Sequence, residues 1–277
     1  MMNVGSLFSG IGGLELGLEQ TGHFKVKWQV EIDPFANEIL KKHWPDVKRF
    51  SDVREFHPTG EDMVVDLICG GFPCVDVSNA KTAQEGGPQG LKGAQSGLWF
   101  QYLRVVREAR PRWVLIENVG ALSIRGLGTV LWGLASEGYD AEWATISAAS
   151  LGASHLRKRL FIVARVQDPD RKGLEGPIGQ ILAQPRAWRQ DANAARSAWR
   201  DAEPAVGRVA DGLPKGVDGT GKPGNRKYPK HTKGRLKALG NAVVPAIARF
   251  IGDRIFQADH AYCSMTPASA SESHPRP

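Results

Sequence analysis

Val4-Gly5-Ser6-Leu7-Phe8-Ser9-Gly10-Ile11-Gly12-Gly13-Leu14-Glu15-Leu16-Gly17-Leu18 is the stretch whose reading decides the fold. An apolar run over residues 4–9 reads as a buried strand, and a helical pattern follows over 14–21. The glycines between them form a tight turn at a helix N-terminus, where backbone N–H groups can approach a ligand. These residues alone fit a plain tight turn equally well. The alternation continues along the chain. Apolar runs at 26–32, 64–69, 114–117 and 160–164 read as strands, and residues 34–43, 98–110 and 127–137 carry helical patterns. Pro34 suits a first helical turn, and Pro111 ends the helix before it. Strand–helix alternation of this kind implies an α/β fold: a doubly wound, mostly parallel sheet.

The 277 residues are 42% hydrophobic, enough for one such domain and a smaller second region. No apolar run approaches the ~18–20 residues of a membrane span. Met1-Met2-Asn3-Val4 lacks the basic start and apolar core of a secretory signal, so a cytoplasmic protein is expected. Three cysteines (Cys69, Cys74 and Cys263) argue against a disulfide framework. Cys69 and Cys74 supply two of the roughly four ligands a zinc ion needs, with no Cys/His pair at finger spacing elsewhere, so no metal is expected. The net charge is +7 and unevenly placed. Residues 157–237 hold 19 Lys and Arg against 8 Asp and Glu, whereas the remainder holds 17 against 21. A basic segment on a mildly acidic body suits a polyanion such as nucleic acid, or a solvated basic loop.

In open α/β sheets, ligands sit beyond the carboxyl ends of the strands. Those ends here are Ser9-Gly10-Ile11-Gly12-Gly13, Glu31-Ile32-Asp33, Ser51-Asp52-Val53, Gly70-Gly71-Phe72-Pro73-Cys74 and Glu117-Asn118-Val119. Glu31 follows the turn by about twenty residues, where such folds place a carboxylate on a ribose. Glu15 occupies the third glycine position of the dinucleotide pattern G-x-G-x-x-G, which leaves a single-nucleoside cofactor open. Cys74 reads as a nucleophile or a buried structural thiol, and Glu117 could supply a proton. The glycine-rich, apolar-poor stretch 75–97 is long for a loop inside a domain and reads as a lid.

Five ordered blocks carry a family resemblance. Ser6-Leu7-Phe8-Ser9-Gly10-Ile11-Gly12-Gly13-Leu14, Gly70-Gly71-Phe72-Pro73-Cys74, Glu117-Asn118-Val119, Arg157-Lys158-Arg159-Leu160-Phe161-Ile162 and Leu239-Gly240-Asn241-Ala242-Val243-Val244-Pro245 resemble the motifs of the cytosine-C5 DNA methyltransferases. The short form, with Asp211-Gly212-Leu213-Pro214 before the last block, resembles bacteriophage or prophage members. The resemblance implies methyl transfer from S-adenosylmethionine to C5 of a flipped-out cytosine in a short duplex DNA sequence, in the cytoplasm of a bacterial host, by a monomer without metal. It matches Cys74 to the nucleophile that adds to C6, Glu117 to the carboxyl that bridges N3 and N4, and Arg159 to a ligand of O2, with Arg157 beside it. Phe8, Gly10, Gly12, Glu31, Asp52, Pro73, Leu98, Asn241 and Val243 match cofactor positions, and Ser78 lies in the lid near the DNA backbone.

The resemblance divides the chain into a catalytic domain (1–165 with 235–257), a target-recognition region (166–234) and a tail (258–277) expected to be disordered. Arg186, Arg189, Arg196 and Arg200 in the middle region are candidates for guanine edges or phosphates. Ser6, Val75 and His155 depart from the commoner pattern, where Asp, Gln and Gln are frequent. None of these removes a catalytic group. Two alternatives use the same scaffold: a tRNA cytosine-5 methyltransferase, whose Cys-Phe-Thr signature is absent, and a non-catalytic DNA-binding relative, which predicts a broken motif.

Overall fold

The computed structural model describes residues 1–73, 97–153, 156–167, 181–182 and 242–264, the side chains of the last two excepted. Among them, seven strands make one sheet: β1 (Met2–Leu7), β2 (Phe24–Val30), β3 (Lys48–Phe50), β4 (Leu67–Gly70), β5 (Trp113–Val119), β6 (Tyr139–Ser147) and β7 (Lys158–Val166). Their order is β3-β2-β1-β4-β5-β7-β6. The pairings among β1 to β5 are parallel, and β7 runs antiparallel to both β5 and β6. The helices are α1 (Gly13–Glu19), α2 (Pro34–His43), α3 (Leu98–Ala109), α4 (Leu122–Arg125), α5 (Leu127–Ser136) and α6 (Pro245–Ser264). The strand order reverses between β1 and β4, the switch point at which open α/β sheets hold ligands.

The doubly wound, mostly parallel sheet read from the sequence is therefore present, with an antiparallel addition that periodicity did not reveal. β6 carries Asp140, Glu142 and a half-exposed Trp143, so no apolar run marks it. It is an edge strand, and charged residues are tolerated there. β3 has three residues, too few for a periodic signal.

Two apolar layers clad the sheet. Leu7, Trp28, Val30, Ile68 and Ile116 pack with α3 and α5 on one face. Val4, Leu67, Cys69 and Leu115 pack with α1 and α6 on the other. Where β1 meets β2 the register slips, pairing Val4 with Val26 but Gly5 with Trp28. The Trp28 ring occupies the space of a Gly5 side chain, 2.1 Å from where a Cβ would stand. Glycine is thus required in the middle of β1, at the usual cost of backbone freedom.

The C-terminal helix α6 begins at Pro245 and runs past the boundary expected for the catalytic domain. The tail expected from residue 258 is still helix to Ser264, and Ala258 and Asp259 are buried. The reason is Asp259, a carboxylate that reads as a surface residue but accepts hydrogen bonds from Arg112 Nη1 (2.9 and 2.7 Å) and Trp113 Nε1 (2.9 Å) at the start of β5. Arg112 also bonds Asp66, which accepts from the Asn3 backbone N–H. The helix end, β5 and β1 are thereby tied at one edge of the sheet.

From the middle region, Ile181 and Leu182 are buried in the α1–α6 layer. Leu182 N–H donates to Glu142 Oε1 (2.7 Å), and Arg254 Nη1 donates to the Ile181 carbonyl (3.0 Å). Asp259→Ala leaves the buried Trp113 N–H and the Arg112 guanidinium without this acceptor. It is expected to cost about 2 kcal/mol, read as a lower urea midpoint at unchanged slope.

Candidate active site

The carboxyl ends of β1 to β5 share one edge. Because β7 is antiparallel to β5, its first residues reach that edge too: Val119 pairs with Arg159 and Glu117 with Phe161. The sheet therefore gathers two groups of residues, one around the glycine turn and one around Glu117.

At the turn, Phe8 and Gly10 take left-handed backbone conformations, with φ of 54° and 57°. The first is unusual for a residue with a side chain and marks a constrained site. The Phe8 ring stacks on Tyr102 at 6.5 Å and 12°. Among the described residues, nothing lies within 4 Å of where a Gly10 Cβ would be. Gly12 (φ 86°) has no such room, since a Cβ would meet the Trp44 ring at 2.4 Å. Glu31 braces the turn. Its Oε2 accepts from Gly10 N–H and its Oε1 from Asp33 N–H, both at 2.7 Å. Asp33 in turn caps α2 by accepting from Phe35 N–H at 2.9 Å.

Asp52 lies at the end of β3, with its carboxylate held by Arg54 at 2.5 Å. This arginine and the Arg54 backbone N–H lower its pKa. Pro73 and Leu98 are partly buried, Leu98 opening α3. Val243 lies over the turn, its carbonyl oxygen 2.5 Å from where a Gly13 Cβ would stand.

Glu117 is the second centre. Its carboxyl is buried, with Arg159 Nε 2.9 Å from Oε1. That approach is an ion pair off the N–H axis, since Oε1 accepts no directed hydrogen bond. Burial pushes the Glu117 pKa up to about 7, against the opposing pull of Arg159 and Arg157. Arg157 is itself lowered by burial and by Arg159, and it donates from Nη2 to the Ala242 carbonyl, linking this group to the segment before α6. Gly71 is the contact that relates Glu117 to the cysteine turn. A Cβ there would lie 2.9 Å from Glu117 Oε2 and 3.1 Å from the Glu117 carbonyl. Asn118 Nδ2 donates to the Phe72 carbonyl at 3.1 Å, so consecutive residues of β5 grip Gly71 and Phe72.

Of the residues singled out from the sequence, Phe8, Gly10, Gly12, Glu31 and Val243 meet around the turn, and Glu117, Arg157 and Arg159 meet at the ends of β5 and β7. Cys74, Ser78, Arg186, Arg189, Arg196, Arg200 and Asn241 lie outside the described residues. Cys69 is buried within β4, as a structural thiol would be, and burial raises its pKa well above the ordinary range. Among the described residues, no group of three His, Cys, Asp or Glu is placed to hold a metal, and no helix is long and apolar enough to cross a membrane. Two residues were missed. Ile32 is 62% exposed beside Glu31, and the sequence hid it by continuing the apolar run of β2. Glu15, noted only as a failed glycine, is a fully buried carboxyl beneath the turn.

The family model for C-5 cytosine-specific DNA methylases matches residues 2–202. A type II methyltransferase of Bacillus subtilis, M2.BsuMI, is 37% identical over 177 residues, covering 61% of this chain and 43% of that protein. A type II methyltransferase of Paramecium bursaria Chlorella virus, M.CviJI, is 30% identical over 254 residues, covering 91% of this chain and 59% of its own length. The chain thus spans about half the length of these relatives. The solved structure of the Entamoeba histolytica methyltransferase EhMeth shares the fold, with a TM-score of 0.51 at 18% identity over 62% of this chain and 55% of that one.

The raised Glu117 pKa has a consequence for stability. A carboxyl titrating near 7 when folded and near 4.5 when unfolded favours the folded state below about 4.5 and loses that contribution as pH rises through 7. Glu117→Gln removes this dependence. Between pH 4.5 and 8 the variant should gain about 3 kcal/mol on the wild type in urea unfolding, and parallel stability profiles would contradict the assignment.

Proposed function

The chain belongs to the C-5 cytosine-specific DNA methylases, and we propose that it transfers a methyl group from S-adenosylmethionine to C5 of a cytosine flipped out of duplex DNA, through a covalent bond between Cys74 and C6. The observation that carries this reading is the close approach of the Glu117 carboxyl to Gly71, three residues before Cys74, where an added Cβ would lie 2.9 Å from Oε2. It supports a proton donor acting beside the nucleophile.

The chemistry follows from the base. C5 of cytosine is a poor nucleophile, and C6 is out of reach within a stacked duplex, so the base must leave the helix. The Cys74 thiolate adds to C6 and pushes electron density towards C5. Charge that builds on the ring is met at N3, where a carboxyl that is neutral at pH 7 can donate its proton while its other oxygen accepts from N4. Glu117, titrating near 7, is matched to that task. Arg159, beside Glu117, is the ligand of O2 of the same base in this reading. After methylation, loss of the C5 proton and elimination of the thiolate restore the aromatic ring and free Cys74.

The turn fits a nucleoside cofactor. In support, no described residue crowds Gly10, Glu31 braces the turn from the end of β2, and the exposed Ile32 offers an apolar face beside it. When bound, S-adenosylmethionine supplies an electrophilic methyl group. Phe8 would pack on its adenine and Asp52 would accept from its amine, while Gly12 shapes the turn and Pro73, Leu98, Asn241 and Val243 would hold the rest of the group. The basic middle region, with Arg186, Arg189, Arg196 and Arg200, supplies phosphate affinity and base contacts, and Ser78 approaches the backbone as the 75–97 segment closes.

Tritium transfer from labelled S-adenosylmethionine to duplex DNA tests this reading, with tRNA as the competing substrate. Label is expected on DNA. Cys74→Ala should abolish transfer, and Glu117→Gln should lower it roughly 10²–10⁴-fold. Label on tRNA alone, or undiminished transfer by Cys74→Ala, overturns the proposal.

A further inference from the structure

We propose that Glu15 is a positioning residue for the cofactor turn, acting in its protonated form through a buried relay from Glu15 to Ser6 to Ser9. This rests on the cofactor reading above. Glu15 lies in the first turn of α1 and is fully buried. Ser6 Oγ donates to Glu15 Oε1 at 2.6 Å, and Ser9 Oγ donates to Ser6 Oγ at 2.9 Å. Ser9 is the hub of the turn. Its N–H donates to the Val30 carbonyl at 3.2 Å, and its carbonyl accepts from Gly12 N–H at 3.0 Å. The relay therefore fixes the residue that sets both the path of the turn and its distance from β2.

The surroundings favour the neutral acid. Ser6 pairs with Gln29 on β2 and with Cys69 on β4, so a fully buried row, Gln29–Ser6–Cys69, crosses the sheet at Ser6. Glu15 Oε2 and both polar atoms of the Gln29 amide have no hydrogen-bond partner among the described residues. The titratable groups that face Glu15 are Cys69, held as a neutral thiol by burial, and Glu31 at the end of β2. Across α1, α6 presents backbone and a methyl group to Gly17: the Pro245 carbonyl, Ala248 Cβ and the Arg249 N–H. Burial and the charge of Glu31 push the Glu15 pKa up to about 7, with the Ser6 and Ser9 hydroxyls opposing.

Loss of the Glu15 proton places a second negative charge close to Glu31, whose two oxygens hold Gly10 and Asp33. The new carboxylate also draws the Ser6 and Ser9 hydroxyls towards itself. Both effects loosen the turn that the cofactor enters. Cofactor affinity is therefore expected to fall as pH rises through about 7, and binding above that pH should take up a proton.

Isothermal titration of the full chain with S-adenosylhomocysteine, the product of the proposed transfer, tests this between pH 6 and 8.5. The wild-type Kd should rise by roughly tenfold per pH unit above 7, with proton uptake read from buffers of different ionisation heat. Glu15→Gln should hold one affinity across the range. Ser6→Ala removes a donor that lowers the Glu15 pKa and should move the break in the profile to higher pH. That shift separates a titrating relay from a packing role and remains measurable if Glu15→Gln does not fold. Wild-type binding with no dependence on pH, or a dependence unchanged in both variants, overturns the inference and leaves the cofactor reading standing. No binding at any pH overturns both.

Discussion

The approach of β4 to β1 at the switch point is the constraint on which the rest of the site depends. A Cβ on Gly70 would stand 2.1 Å from the Leu7 carbonyl, so the two strand ends can meet only if one of them has no side chain. That approach sets the glycine turn after β1 beside Gly71 and Phe72 after β4, with the Phe72 ring against Trp99 at 5.5 Å. Gly71 then leaves room for the Glu117 carboxyl. Two adjacent glycines thus bring together the ends of three neighbouring strands, each contributing a group that the proposed reaction needs.

Two carboxyls on this frame are driven towards neutrality by the same cause and kept from it by different means. Glu117 is opposed by two arginines from the antiparallel strand, and Glu15 by two serine hydroxyls and no described cation of its own site. Desolvation wins in both, because a hydroxyl or an imperfectly aligned guanidinium returns less than water did. Glu31, at the same edge, is held by two backbone N–H groups at 2.7 Å, from Gly10 and Asp33.

Much of the parallel half was legible in the sequence. Short apolar runs separated by helical patterns mark β1, β2, β4 and β5 directly, and Pro34 marks the start of α2. The strand-end rule placed Glu31, Asp52 and Glu117 on one edge before any coordinate. β6 was hidden because an edge strand tolerates charge, β3 because three residues carry no period, and the end of α6 because Asp259 is polar in composition but buried in fact. Ile32 was absorbed into the strand before it. Its exposure follows from where β2 stops pairing, at Val30, which no local pattern states.

By itself the sequence determined which residue types stand at each strand end, and so the class of chemistry open to the chain. It also showed that the third glycine of a dinucleotide turn is an acid. Only the tertiary structure decided what that acid does, because protonation depends on surroundings drawn from distant parts of the chain. The Glu15 pKa is pushed up to about 7 because the fold buries the carboxyl completely and brings Glu31 near it. Arg159 reaches Glu117 because β7 turns antiparallel. Sequence carries local propensity and spacing, whereas desolvation and charge pairing are properties of what the fold brings within a few ångströms.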